Sequence, residues 1–103
     1  MRIHNAQYKI DDIGMWGRKH LRYIMEHRPV LHTTLLLSGK LNSHLVEIDN
    51  RATEMFDWIV KQLAEKEGIT EQLKAQDQMA WVGAMNGIRN QAEEIISAEI
   101  IYT

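Results

Sequence analysis

Two apolar stripes of helical period, separated by a Gly68-Ile69-Thr70 turn, restrict this chain more than any other feature. Between Leu41 and Lys66 the apolar residues fall at Leu41, Leu45, Ile48, Ala52, Met55, Ile59 and Leu63. Steps of three and four belong to one face of a helix, not to the two-residue alternation of a strand. The remaining positions carry charge, and Glu47/Arg51 and Lys61/Glu65 place opposite signs four apart on exposed faces. Gly68 suits the left-handed conformation that closes a helix. Thr70 is placed to cap the next one, and Glu71 puts an acid in its first turn, where the helix dipole favours negative charge. The second stripe runs Leu73, Trp81, Ala84, Ile88, Ala92 and Ile95, widened by Met85 and Ile96, with Asp77 interrupting its first heptad. The pattern predicts an all-α fold in which residues 41–66 and 71–99 lie antiparallel. Each arm is roughly 40 Å long at about 1.5 Å per residue. Ala80, Gly83, Ala84 and Gly87 form a patch without bulk. The two glycines predict close approach of another helix or a bulky side chain, with a local kink as the competing reading.

The rest of the chain must pack on this hairpin. Residues 1–13 show no helical period and read as an extended arm. Residues 14–39 read as two short basic helices. In the first, Trp16, Leu21, Ile24 and Met25 share a face with Tyr23 beside it, and Gly14 and Gly17 suggest a frayed or turned start. Pro29 ends that helix, because the residue before a proline avoids the helical region, and it also suits the first turn of a second. Val30, Leu31, Leu35 and Leu36 give that second helix an apolar face, which Leu37 widens. Ser38-Gly39-Lys40 is the break before the long hairpin of residues 40–101. A chain of 103 residues is expected to form one domain. The apolar tail Ile100-Ile101-Tyr102 is expected to dock on the body or on a second chain.

Several function classes fall away. The chain has no cysteine, which excludes disulfides and thiolate zinc sites. The longest apolar run, Leu35-Leu36-Leu37, is far short of a membrane span, and Met1 to Asn5 carries no signal-like segment. A cytoplasmic protein with no membrane partner is expected. Of five histidines, His20 and His27 lie seven apart, matching neither H-E-x-x-H nor an i, i+4 pair, so no metal is assigned. No nucleophile elbow surrounds Ser38 or Ser43, and no glycine-rich loop could cradle a phosphate. The adjacent carboxylates Glu93-Glu94 and Asp11-Asp12 point apart. The expectation is a protein that is not an enzyme, with no cofactor and no small-molecule substrate.

Charge is unevenly placed. Residues 1–40 carry seven Lys/Arg and three acids, whereas residues 41–103 carry five Lys/Arg and eleven acids. Any anionic partner therefore meets the first segment, and the hairpin repels it. Two candidate surfaces follow. Arg18, Lys19, Arg22 and Arg28 form a basic face on the first helix: either a nucleic-acid contact surface, or a solvated helix face or partners for the acidic hairpin. The stretch Leu31 to Ile48 has a glycine turn with Leu35 before it and Leu45 and Ile48 after it, at about the spacing of a helix-turn-helix. In that reading Lys40, Asn42, Ser43 and His44 approach DNA. In the alternative the turn is purely structural, because Glu47 and Asp49 make the would-be reading helix acidic.

The strings IGMWGRKHLRYIMEHRP, SGKLNSHLVEIDNRA and EKEGITEQLKAQDQMAWVGAMNGIRNQAEEI resemble the TnpV family of transposon-encoded proteins. The resemblance runs over about residues 13–102, and the arm before it looks shorter than in many relatives. It carries over no enzymatic activity and no catalytic residue. It implies an accessory, excisionase-like factor of transposition associated with DNA and the element's recombinase. The alternative, from the residues themselves, is a helical protein–protein adaptor or structural dimer with no nucleic-acid contact. The surplus apolar faces, including Trp58, Ile96 and Tyr102, predict a homodimer.

Overall fold

In the computed structural model, residues 13–103 are described, so the expected arm lies outside the described residues except for Ile13. The fold is all-α: α1 (Met15–His27), α2 (Pro29–Leu37), α3 (Leu41–Lys66), α4 (Glu71–Gln76) and α5 (Gln78–Ile96), followed by a π-helical turn over Ser97–Ile101. Two short helices pack on a long antiparallel hairpin, with α1 against α3 and α3 against α5.

The helix ends follow from local chemistry. Among the described residues, Gly39 (φ 76°) and Gly68 (φ 70°) are the two with positive φ, and each closes a helix by the same paired bonds. After α2, Gly39 N–H donates to Leu36 O at 3.2 Å and Lys40 N–H to Leu35 O at 2.9 Å. After α3, Gly68 N–H donates to Glu65 O at 3.2 Å and Ile69 N–H to Ala64 O at 2.9 Å. These bonds satisfy carbonyls that a helix end otherwise leaves open. Thr70 caps α4 as expected, its Oγ1 accepting from Leu73 N–H at 3.2 Å.

The second arm differs from its prediction. It is not one helix over 71–99 but α4, a break, and α5. Asp77 makes the break: its backbone is extended (φ −150°, ψ 87°) and its Oδ1 accepts from Ala80 N–H at 3.1 Å. An Asp side chain competes with the helix for backbone donors, so what reads as a heptad interruption is the start of a new helix. The buried stripe of α5 is Met85, Ile88, Ala92 and Ile96, while Ile95 is exposed. On α3 the deep residues are Leu41, Leu45, Ile48 and Ala52; Phe56 continues the line and Met55 is exposed. Met25, assigned to the apolar face of α1, is also exposed.

The core has two parts. Trp16, Ile48, Ala52, Ile96, Ile100 and Ile101 pack together, flanked by Phe56 and Ile59. Ile13, Ile24, Leu41 and Leu45 form the second cluster, flanked by Leu21, Tyr23, Leu31 and Leu35. The first lies where α1 meets the first half of α3 and the end of α5, so the apolar tail does dock on the body; the second lies where α1 and α2 meet the start of α3. No close approach occurs at Gly83 or Gly87, where an added Cβ would meet nothing within 4 Å. Close approach occurs instead at Gly14 and Gly17. A Cβ on Gly14 would meet the Asp49 carboxylate oxygens at 3.0 Å, and one on Gly17 would overlap Ile13 Cγ2 and stand 3.0 Å from Leu45 O. These glycines let α1 settle on α3; they do not mark a frayed end.

Candidate nucleic-acid interface

α1 divides cleanly into faces. Trp16, His20 and Ile24, four apart, are buried. Met15, Arg18, Arg22 and Met25 are exposed on the other side at helical spacing. The helix has no side-chain cap of its own and no acid in its first turn. Asp49 of α3 supplies both: its Oδ1 accepts from Gly17 N–H at 2.9 Å. A carboxylate there satisfies an open donor and meets the positive end of the helix dipole. Asp49, on the acidic first arm of the hairpin, is thus engaged with backbone at the start of α1.

His20 is 3% exposed and links three elements. Its Nδ1 lies 2.7 Å from the Ile101 carbonyl oxygen, and its Nε2 lies 3.0 Å from His44 Nε2. A carbonyl only accepts, so His20 Nδ1 carries a proton. The neutral ring then offers Nε2 as acceptor to His44 Nε2–H. The ring centroids are 5.0 Å apart, which sets the rings nearly head to head. A metal ion needs about 2.0–2.1 Å to each nitrogen along its lone pair. That exceeds half of the 3.0 Å separation, so the gap fits a proton. Burial lowers the pKa of His44 from its ordinary value, the neighbouring His20 lowers it further, and Glu47 partly opposes them.

The tail is held on both sides of Tyr102. His20 Nδ1–H fixes Ile101 O, and Arg28 Nη1–H donates to Thr103 O at 2.7 Å. Tyr102 N–H donates to Ser97 O at 2.9 Å inside the π turn. The Tyr102 ring packs on Tyr23 at 5.4 Å between centroids, and Tyr23 also meets His27 at 5.2 Å. Beside them lies a groove of about 360 Å³ lined by Lys19, Arg22, Tyr23, Glu26, His27 and Tyr102.

The eight residues chosen from the sequence are not one surface. Arg18 and Arg22 are exposed and four apart on α1. Lys19 is half-buried, its ammonium 5.3 Å from the Trp16 ring, and it also borders a second groove with Glu93 and Glu94 of α5. Arg28 is exposed but bonded to the tail. Lys40 is exposed at the start of α3, Ser43 Oγ–H donates back to Lys40 O at 3.2 Å, and Asn42 is half-buried. His44 turns toward His20, so its ring cannot read a base without breaking that pair. Sequence reasoning missed His20, Tyr23 and Tyr102 as a connected group. The available signal was position: His20 lies midway between Trp16 and Ile24 on the buried stripe of α1.

The fold and this surface define a small all-helical protein in which a short helix with exposed Arg18 and Arg22 docks on a hairpin richer in acids than in cations. The family model described as transposon-encoded protein TnpV matches residues 1–101, and the chain belongs to that family. The match begins at residue 1, so it takes in the arm that the resemblance placed outside. No curated protein and no solved structure matches the chain. No helix among the described residues is long and apolar enough to cross a membrane.

Proposed function

We propose that this protein is a cytoplasmic, non-catalytic accessory factor of transposition that contacts DNA through α1 and assembles with the element's recombinase. The observation that carries this reading is the outward stripe of α1. Arg18 and Arg22 face solvent together, while the opposite face of the same helix is anchored by Trp16, His20 and Ile24. Guanidinium groups on an anchored helix suit phosphate oxygens, which position a protein without reading sequence. Electrophoretic mobility shift on the ends of the host element, with and without recombinase, tests the reading. Retardation that deepens with recombinase supports it, and none in either case contradicts it.

A second reading, an adaptor or structural homodimer, has its own observation. α2 carries no Lys, Arg, Asp or Glu, and Val30 and Leu37 are 78% and 81% exposed. Trp58 on α3 is 62% exposed, beside Met55 and Arg51 in a shallow groove. Exposed apolar surface of this kind marks association. The two readings are compatible if a dimer presents two copies of α1.

A further inference from the structure

From the groove between α1 and the π-helical tail we infer a binding site for an unstacked nucleotide of single-stranded or locally opened DNA. The inference rests on the DNA-contacting reading above and names the form of DNA that this site takes. Its walls combine the two features that single-strand binding needs. One is an aromatic surface on which a base of any identity can stack; the other is cations beside it for the backbone. Tyr23 and Tyr102 supply the rings, at 5.4 Å and an interplanar angle of 49°. Tyr23 is half-buried and held by His20 and His27, at 6.4 Å and 5.2 Å between centroids. Tyr102 is 48% exposed and therefore offers open ring surface. Lys19 and Arg22 line the same groove, and its volume of about 360 Å³ lies in the range of small-ligand sites.

The platform is built and not incidental. The residues on either side of Tyr102 are each fixed by a side chain from the α1 region: Ile101 O by buried His20 and Thr103 O by Arg28. Thr103 Oγ1–H donates to Ile100 O at 3.1 Å, closing the turn. An exposed tyrosine at the end of a helix ordinarily swings through several rotamers, and ordering it costs free energy on binding. Here the backbone beneath it is already set. A duplex keeps its bases stacked inside and presents only phosphates to α1, so the Tyr102 ring adds nothing to duplex binding. That difference separates this site from the Arg18–Arg22 stripe.

The test is fluorescence anisotropy of the full chain with a labelled short oligothymidine and with a labelled duplex of equal length. Tyr102→Leu and Tyr102→Phe are compared with the parent. The inference expects tighter binding of the single strand. It expects Tyr102→Leu to weaken single-strand binding by about fivefold or more, the lower end of base–aromatic stacking, and Tyr102→Phe to restore it. Duplex binding should be indifferent to both. If Tyr102→Leu lowers helix content by circular dichroism, Tyr102→Phe and the parent single-strand preference decide alone. Duplex binding with no single-strand preference, or single-strand binding indifferent to the ring, overturns this site and leaves the DNA-contacting reading standing. Binding to neither form overturns both.

Discussion

The Asp49 carboxylate closes the N-terminus of α1 from across the fold, accepting from Gly17 N–H at 2.9 Å over 32 residues of sequence. The contact requires bare backbone on the α1 side, because a Cβ on Gly14 or Gly17 would press on the Asp49 side chain. This carboxylate and the two glycines add to Trp16, His20 and Ile24 in fixing the register of the basic helix on the hairpin.

Removing that cap should destabilise the fold. Asp49→Ala is expected to cost about 1 kcal/mol, in the range for lost N-caps. Asp49→Asn keeps an acceptor and loses only the charge, so its cost should be smaller. Gly17→Ala should cost about 1–3 kcal/mol, because the new methyl overlaps Ile13 and has the Leu45 carbonyl, which is backbone, on its other side. Urea unfolding followed by far-ultraviolet circular dichroism measures all three. A neutral Gly17→Ala would mean that α1 does not sit this close to α3.

Gly83 and Gly87 should behave in the opposite way. Each lies inside α5 with open space where a Cβ would go. Alanine at either position should stabilise by up to about 1 kcal/mol, because it removes the entropic penalty of a helical glycine. In a chain of this size that raises Tm by about 4–8 °C per kcal/mol. A loss of stability at either site would reveal a partner packed against that face.

Much of this architecture is legible in the residues. The two stripes and Gly68 give the hairpin, Pro29 divides α1 from α2, and Thr70 is the cap it reads as. What escaped reading has local physical causes. Asp77 scores as a flaw in a stripe, but its carboxylate caps α5 and starts a new helix. Ile95 and Ile96 are equivalent by composition, and only the roll of α5 against α3 buries the second. Ile96 is therefore closed to any partner, whereas Trp58 stays exposed. His44 follows Asn42 and Ser43 at the start of α3 and looks like a base-reading group. Its true partner, His20, is 24 residues away in sequence, and no local pattern joins them.

The His20–His44 pair predicts a pH dependence. The folded protein holds His44 below its ordinary pKa, first through burial and then through His20. Between that lowered value and the unfolded value of about 6.5, the unfolded chain binds more protons. The contribution of neutral His44 to stability is therefore present above about pH 6.5 and is lost as pH falls through that value toward the lowered folded pKa. His44→Gln keeps an N–H donor for His20 Nε2 and does not titrate. Urea midpoints should fall more steeply from neutral to mildly acidic pH in the parent than in His44→Gln. Parallel curves would show that His44 is not a site of proton linkage.

The exposed apolar residues of α2 and α3 motivate a prediction on assembly. Light scattering at tens of micromolar is expected to give a dimer mass, and Trp58→Glu to reduce it to a monomer. A monomeric parent protein would remove the interface and leave α1 acting alone.

The central claim is that the exposed face of α1 meets DNA phosphates. It is tested most directly by titrating DNA at two salt concentrations with the parent and with the double reversal Arg18→Glu, Arg22→Glu. Each phosphate contact contributes about 0.9 to the slope of log affinity against log salt. The double reversal should therefore lower affinity and reduce that slope by about 1.8 per chain. Affinity and slope both unchanged would contradict the claim, and would make the face a solvated one on a protein that acts through other proteins.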